Sequence, residues 1–179
     1  LGADHIDEHR EVITILKSLG LDPKPIRGII YQFVTLVRDG KPVKMSTRRA
    51  EYVTLDELLD DVGPDVARFF FLSRKADTHL EFDLELAKKE SQENPVYYIQ
   101  YAHARLTGIF RTAAEQGFKE ADVRAASFDL SHPAAQTLAK KILSLGDVLE
   151  SCVHDLEVTG LLWYLRELAE TFHIFYSQV

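Results

Sequence analysis

A basic, hydroxyl-bearing segment with the sequence "KMSTRR" at residues 44–49 carries the strongest chemical signal in the chain. Lysine, hydroxyl and backbone N–H groups on a loop can orient phosphate groups and neutralise the charge that develops during phosphoryl or nucleotidyl transfer. The segment therefore predicts phosphate chemistry. The alternative is a solvent-exposed basic turn without chemistry, which is the usual meaning of a short charge run.

The residues on either side of this segment predict how it is held. Asp39-Gly40 stands between two apolar runs, and this dipeptide is typical of a two-residue hairpin turn because both positions can take positive φ. Thr54 precedes Glu57 by three residues, a spacing that predicts a capping box at the start of a helix. The basic segment is therefore expected to connect a hairpin to a short helix.

A second candidate motif is "HIDEH" at residues 5–9, which has the His-x-x-Glu-His form of an inverted zinc-protease motif. On a helix, His5 and His9 would share one face, and Glu8 would act as the general base. The site would need a third ligand, for which Glu85 and Glu90 are merely available. Because short motifs of this kind often occur by chance, we expect no metal site.

A third candidate is the block "NPVYYIQYAHAR" at residues 94–105. Asn94 is expected to cap a helix that begins with Pro95. Helical spacing then places Tyr98, Tyr101 and Arg105 near one face. Aromatic rings beside a guanidinium suit single-stranded nucleic acid, whose bases stack on the rings while the cation meets a phosphate or a base edge. The alternative is that the tyrosines are core residues with satisfied hydroxyls.

Composition limits the class of protein. The 179 residues are 46% apolar and 27% charged, enough for a buried core, and the formal net charge is −7, so attraction to nucleic acid would need a local basic surface. Cys152 is the one cysteine, which excludes an intramolecular disulfide and favours the cytoplasm. Apolar runs are too short for a membrane helix. The start "LGADHIDEH" lacks a methionine, so we expect a longer parent chain.

Periodicity and turn residues predict a mainly α protein with a small α/β part followed by an all-α part. A strand is predicted over residues 26–37, residues 76–90 are expected to begin irregularly and end as a helix, and residues 117–133 are expected to form a loop. Phe69, Phe70 and Leu72 are expected to face a core. Helices are predicted over residues 6–19, with Gly20 as the stop, and over residues 54–63, 65–75, 94–116, 133–156 and 159–178, with a boundary between the two parts near residues 88–94.

Several of these blocks together resemble one family. The segment "KMST" followed by Arg48 and "YVTLDELL" resembles the KMSK-type loop of class I aminoacyl-tRNA synthetases, in the form found in arginyl-tRNA synthetases. "LGADHIDEHREV" is similar to that family's Gly-x-Asp-His segment at the end of a Rossmann strand. "FFFLSRKADTHLEFDLELA" and "ENPVYYIQYAHARL" are similar to the run into its anticodon-binding helical domain and to the opening of that domain.

The resemblance implies a fold and an active-site half. Residues 1–90 would be the carboxyl-terminal remnant of a Rossmann-type α/β catalytic domain, and residues 91–179 the first helices of an all-α anticodon-binding bundle. By resemblance, the residues assigned to catalysis are Lys44, Met45, Ser46 and Arg48. Those assigned to ATP binding are Asp4, His5 and Val43. Thr47 stands where the general pattern has a second lysine, and Arg49-Ala50 where related sequences more often have Ala-Gly.

The resemblance also implies partners. Tyr98, Gln100, Tyr101 and Arg105 are the residues carried over to binding of the tRNA for arginine. The full-length parent would be a monomer that uses arginine and ATP, with Mg²⁺ as the counterion of ATP. The chain contains no His-x-Gly-His block, which class I synthetases use to hold ATP, so it is expected to be inactive alone. The remaining alternative is a tRNA-binding module without catalysis.

Overall fold

The computed structural model describes residues 1–43, 53–127 and 129–179 and divides the chain into two compact units, Leu1–Lys88 and Lys89–Val179. The predicted class, mainly α with a small α/β part followed by an all-α part, is confirmed. The assignment of residues 1–90 and 91–179 to a catalytic and an anticodon-binding domain stays a prediction, because compactness does not show what each unit does.

The first unit opens with a short parallel pairing and a helix. Gly2 bridges Tyr31 in parallel, a 3-10 helix covers Ala3–His5, and α1 covers Ile6–Ser18. Gly20 was the predicted stop of α1 and takes a φ of +74°, which lets its N–H bond to the Lys17 carbonyl and the following N–H bond to the Leu16 carbonyl. The end of this helix is therefore coded locally.

A three-stranded sheet forms the centre of the first unit, in the order β2-β1-β3. Strand β1 is Val34–Arg38, β2 is Lys41–Pro42 and β3 is Leu80–Asp83; β1 pairs antiparallel with β2 and parallel with β3. Asp39 and Gly40 have φ values of +52° and +71°, as the predicted two-residue hairpin turn requires.

Two expectations about the sheet are wrong. The strand predicted over residues 26–37 begins only at Val34; before it, Tyr31 makes an isolated bridge to Gly2, and the Gln32 N–H bonds to the Ala76 carbonyl outside the sheet. Residues 80–83, expected to be irregular, form β3. Leu80 and Phe82 are buried and Glu81 is exposed, so the period of two is present, but four residues are too few to separate a strand from an irregular approach to a helix.

Helices α3 (Pro64–Leu72) and α4 (Leu84–Lys88) pack on the sheet, and α2 (Leu55–Val62) packs on these two helices. Phe82 is fully buried, and its ring centroid lies 5.2 Å from that of Phe70. Leu72, predicted to face the core, is 45% exposed, because the buried stripe of α3 runs through Ala67 and Phe70 and a step of two residues turns away from it.

The second unit is helical throughout its regular structure. Its elements are α5 (Pro95–Glu115), α6 (Glu120–Ala125), α7 (Pro133–Leu143), α8 (Leu145–Asp155) and α9 (Thr159–Gln178). The single helix predicted over residues 133–156 is two helices, because α7 ends at Ser144, whose hydroxyl donates to the Lys141 carbonyl at 2.9 Å. The loop predicted over residues 117–133 contains α6.

Helix α9 is the element on which α5, α7 and α8 pack. Ala102 of α5 and Ala169 and Phe172 of α9 form a buried cluster, with Tyr98, Ile99 and Leu138 packed against it. Alanine at the contact lets two helices approach closely, so spacing and small side chains set this interface. Within the described ranges, no helix is long and apolar enough to cross a membrane.

Candidate functional site

Hydrogen bonds hold the residues that flank the basic segment, and the candidate catalytic residues Lys44, Met45, Ser46 and Arg48 lie outside the described residues. On the entry side, the half-buried Val43 donates its backbone N–H to the Leu36 carbonyl of β1 at 2.8 Å. On the exit side, the Thr54 N–H donates to Glu57 Oε2 at 2.8 Å, and the Glu57 N–H donates to Thr54 Oγ1 at 3.1 Å. The predicted capping box is therefore confirmed, and it fixes where α2 begins.

A polar cleft of about 560 Å³ lies beside the exit of the loop, where Val53 and Glu57 line it together with Arg38 of β1. Asp61 of α2 lies 3.9 Å from the Arg38 guanidinium and 2.6 Å from the Lys88 ammonium of α4. These contacts join the strand before the loop to the helix after it. Hydrogen bonding to the carboxylate from the Thr54 backbone N–H, and then from the Thr54 side chain, lowers the pKa of Glu57, so this group stays ionised as a cap.

Asp4 and His5 lie at the carboxyl end of the segment that pairs with Tyr31, just before α1. Their side chains are both 57% exposed, and the carboxylate lies 3.5 Å from the imidazole. Asp4 does not cap α1, because the N-cap position is His5 and no side chain bonds there. Exposed polar groups after a parallel segment fit the edge at which α/β sheets bind nucleotides.

The His-x-x-Glu-His motif does not assemble a metal site with a third group. His5 Nδ1 contacts Glu8 Oε1 at 3.3 Å, and the His9 ring lies so close to Gly28 that a Cβ there would be 2.8 Å from Nε2. Within residues 1–43, 53–127 and 129–179, no group of three or more His, Cys, Asp and Glu residues could hold an ion.

In the second unit, Arg105 is the centre of a polar-aromatic group that we call the Arg105 cluster, made of Tyr101, Arg105, His173 and Tyr176. Arg105 Nη2 donates to the Tyr101 hydroxyl at 2.7 Å, and Nη1 lies 3.3 Å from His173 Nδ1. The guanidinium carbon lies 4.8 Å from the Tyr101 ring centroid and 4.5 Å from that of Tyr176. Two helices, α5 and α9, thus hold one cation.

His173 is a partly buried member of the Arg105 cluster. Its ring stacks on that of Tyr101, with centroids 5.3 Å apart, and lies 4.9 Å from that of Tyr98. Burial, and then the charge of Arg105, lower its pKa, while the Tyr98 backbone acts in the opposite direction. Its Nε2 atom is buried and meets no hydrogen-bond partner among the described residues.

The other two candidate tRNA-binding residues are placed differently. Tyr98 is partly buried against the Ala102–Phe172 core, and burial, reinforced by the Glu170 carboxylate against the weaker effect of Arg166, raises its pKa. Tyr98 therefore has a packing role. Gln100 is exposed on α5, but one residue step rotates it by about 100° from Tyr101. The structure brings Tyr101 and Arg105 together and leaves Gln100 outside the cluster.

An open groove of about 520 Å³ extends from the Arg105 cluster toward the end of α5. Arg105 and Tyr176 line it together with Arg111, Gln116 and Phe118. Gly117 has a φ of +86°, which allows the Phe118 N–H to bond to the Ala113 carbonyl and turns that ring back to the groove. Exposed aromatic rings and two guanidinium groups on one groove are suited to unpaired bases and phosphates.

Sequence analysis missed His173 and Tyr176. Both lie far from the tyrosine block in the chain, and scattered histidines look like surface or core residues. The signal that was available is weak: His173 and Tyr176 are three residues apart, so they share a helical face. Nothing in the sequence indicates that this face packs against α5.

Comparison with known proteins gives the family. A model of the DALR anticodon binding domain matches residues 99–179. The arginine-tRNA ligase of Desulfotalea psychrophila is 46% identical over 178 residues, and that of Chlorobaculum parvum is 47% identical over 180 residues. In both cases the alignment covers 99% of this chain and 32% of the relative, so the chain spans about a third of the length of these relatives.

Solved structures agree with this result. A crystal structure from Campylobacter jejuni, described as an arginyl-tRNA synthetase, matches with a TM-score of 0.87 and 36% identity, over 100% of this chain and 38% of that one. The arginyl-tRNA synthetase of Thermus thermophilus matches with a TM-score of 0.61 over 84% of this chain and 27% of that one; its 18% identity shows a likeness of fold alone. Along nearly its whole length the chain is therefore similar to arginine-tRNA ligases, and it corresponds to a carboxyl-side part of them that contains the DALR anticodon binding domain.

Proposed function

We propose that this chain is the part of an arginine-tRNA ligase that carries the signature loop and grips the anticodon arm of the tRNA for arginine. The observation that carries the proposal is the match to arginine-tRNA ligases along 99% of the chain, together with the anticodon binding domain over residues 99–179. The full-length parent would activate arginine with ATP, release pyrophosphate and transfer arginine to the tRNA. It would do so as a monomer in the cytoplasm.

In the first unit, the proposed chemistry is stabilisation of the triphosphate as arginyl-adenylate forms. Lys44 and Ser46 would contact phosphate oxygens, Arg48 would supply the second cation that Thr47 cannot, and Met45 would pack beneath the loop. Asp4, His5 and Val43 would bind the nucleotide, with Mg²⁺ arriving on the ATP phosphates. The hydrogen bond at Val43 and the capping box at Thr54 support this role, because they fix the chain on both sides of the segment.

In the second unit, the proposed contact surface is the Arg105 cluster with its groove, with Gln100 at its margin. Unpaired anticodon bases would stack on exposed rings, and the guanidinium groups of Arg105 and Arg111 would meet phosphates or base edges. A local surface of this kind is compatible with a net charge of −7, because acidic residues elsewhere weaken non-specific binding. Tyr98 would support this surface from the core side.

Fluorescence anisotropy with labelled tRNA for arginine tests the second-unit role. Arg105→Ala should weaken binding by about tenfold at matched salt, as expected for loss of a charge-assisted contact. Arg105→Lys keeps the charge but not the planar donor fork, so it should recover only part of the affinity. Lys140→Ala, which removes one exposed cation of α7, is the control and should change binding little. If both Arg105→Ala and Lys140→Ala weakened tRNA binding equally, the effect would come from the change in net charge and not from a specific contact of Arg105.

The rival function is a tRNA-binding module without catalysis, and the observation that favours it is the match of residues 99–179 to the DALR anticodon binding domain. We propose that the 179 residues alone bind tRNA and do not activate arginine. Pyrophosphate exchange with ATP and arginine, in the presence of tRNA, measures this directly. No exchange by the chain and exchange by the full-length protein is the expected pair of results. Exchange by the chain would contradict the assignment of an active-site half to the rest of the protein.

A further inference from the structure

We infer that His173 is a positioning residue: its neutral imidazole, protonated at Nε2, accepts a hydrogen bond from the Arg105 guanidinium at Nδ1 and holds that guanidinium at the groove. This inference rests on the proposed function, since Arg105 is the group proposed to meet RNA. His173 itself lies beneath the Tyr101 and Arg105 side chains and has no part in base contact. Its role is to fix the geometry of a neighbour.

The hydrogen-bond chemistry of arginine fixes the tautomer. A guanidinium has N–H donors and no acceptor, so the contact of 3.3 Å between Arg105 Nη1 and His173 Nδ1 is a hydrogen bond only if Nδ1 carries a lone pair. The single proton of the neutral ring must then be on Nε2. An imidazolium would instead place an N–H against an N–H and a cation beside a cation.

Surroundings of His173 favour this neutral form. Ring contacts with Tyr98, Tyr101 and Phe172 enclose it, and both its burial and the neighbouring Arg105 charge lower its pKa. The Tyr98 backbone acts more weakly in the opposite direction, and among the described residues no carboxylate is a cause of this pKa shift. The acceptor at Nδ1 is therefore available at neutral pH, where the protein would bind RNA.

Several charged groups on α9 and on the helices that pack against it have contacts other than His173. On α9 itself, Glu170 and Arg166 act on Tyr98, and the Tyr176 ring meets the Arg105 guanidinium. From α7, Lys141 pairs with Glu167 and lies 5.0 Å from the Tyr164 ring, more than one turn before His173. From α8, His154 pairs with Asp155 of its own helix. Among the charged groups named here, Arg105 is the one that contacts the His173 imidazole.

Positioning has a physical value for RNA binding. A free arginine loses side-chain entropy when it docks, whereas a guanidinium already bonded to His173 and Tyr101 and held over two rings has lost much of it beforehand. Loss of the Nδ1 acceptor should therefore weaken RNA binding without removing any charge. Protonation of His173 should have the same effect.

Nitrogen NMR of the chain, with labelled histidine, tests the tautomer without any RNA. Long-range ¹H–¹⁵N spectra at pH 7.5 should show His173 as the Nε2–H tautomer, assigned by the signal that disappears in His173→Asn. Replacing Arg105 by Ala should raise the pKa of His173. A protonated ring or an Nδ1–H tautomer at pH 7.5 would overturn the inference, whatever the protein does to tRNA.

Two substitutions then test the consequence for tRNA affinity. His173→Phe keeps an aromatic ring and removes the acceptor, and it should weaken binding by about tenfold at pH 7.5. His173→Asn offers Oδ1 near the place of Nδ1 and should restore most of the affinity. If His173→Phe binds as the wild type does, or if His173→Asn is no better than His173→Phe while both remain folded by circular dichroism, the positioning role is wrong.

The pH profile separates positioning from simple packing. On acidification from pH 7.5 to 5.5 the wild type should lose affinity relative to His173→Asn, because only the wild type can form the repelling imidazolium. Parallel profiles would contradict the inference. If instead Arg105→Ala leaves tRNA binding unchanged while the NMR result holds, the His173–Arg105 bond is real and the proposed RNA contact is what fails.

Discussion

In Leu1–Lys88 the candidate catalytic residues follow a hairpin, whereas in Lys89–Val179 the candidate RNA-binding residues lie on the faces of two packed helices. The first unit holds the chain on both sides of the candidate catalytic segment, by hydrogen bonds at Val43 and Thr54, and the segment itself lies outside the described residues. A helix face cannot move residue by residue, so the second unit supplies a rigid surface in which Arg105 is held by three partners. The two candidate sites therefore depend on different parts of the fold.

The cores of the two units also differ, in the size of the side chains that form them. The first unit concentrates its burial around Phe82, which is 0% exposed and meets the rings of Phe70 and Phe71. The second unit joins its helices through small residues such as Ala102 and Ala169 and leaves polar aromatic residues half-exposed beside them. Large side chains thus hold a small sheet together, while close helix contact creates the surface of the second unit.

The largest expected effect concerns the core of the first unit. Phe82→Ala should lower the free energy of unfolding of this unit by about 3–5 kcal/mol, because it leaves a cavity among rings that cannot collapse fully. Amide exchange of β1 and β3 measures it. Phe33→Ala, at a side chain that is 60% exposed, is the matched control and should cost about 0.5 kcal/mol or less. Similar losses of unfolding free energy at both positions would contradict a core concentrated around Phe82.

The next effect is catalytic. Lys44→Ala in the full-length protein should lower the turnover of arginine activation by roughly a hundredfold, the scale of losing one group that stabilises developing charge. The KM for ATP should change much less, because the contact is proposed to strengthen in the transition state. Pyrophosphate exchange measures both constants.

Lys41→Ala is the matched control for that experiment, since Lys41 is an exposed lysine of β2 on the other side of Val43. It removes the same charge from a strand and should leave turnover within about twofold of the wild type. An unchanged turnover in Lys44→Ala would contradict the proposed role of the basic segment in catalysis.

A smaller effect is expected at the exit of the loop. Thr54→Ala removes the side chain that caps α2 and should destabilise the first unit by about 1 kcal/mol. Denaturation by urea, followed by circular dichroism, measures it. Thr14→Ala removes the same atoms from the interior of α1, where the hydroxyl bonds only to the Arg10 carbonyl, and should be neutral or slightly stabilising. A neutral Thr54→Ala would mean that α2 is held by tertiary contacts alone.

The smallest effect appears only on acidification and only in the second unit. The pKa of His173 is lowered from 6.5, so the unfolded chain binds this proton more readily than the native one. The stabilisation from the neutral ring is therefore complete above pH 6.5 and is lost as the pH falls below it toward the lowered value. Urea unfolding followed by Trp163 fluorescence should show this loss in the wild type and not in His173→Phe. A loss of equal size in both would assign it to other groups.

Local signals in the sequence predicted the elements whose causes are local. The Asp39-Gly40 turn, the Thr54 capping box, the Asn94 cap with Pro95 and the stop at Gly20 are all confirmed, because each depends on the φ preference or the hydrogen bonds of residues a few positions apart. The family was also predicted from such local blocks, and the comparisons confirm it. The functional roles of individual residues stay predictions.

Contacts between distant segments, by contrast, depend on the tertiary structure. Strand β3 exists because its four residues pair with β1, more than forty positions earlier, and the Arg105 cluster exists because α9 brings His173 and Tyr176 to α5. Spacing along one helix could place Tyr101 beside Arg105, since they are one turn apart. It could not show which histidine would accept from that guanidinium, because the answer depends on how two helices pack and not on the order of residues in either one.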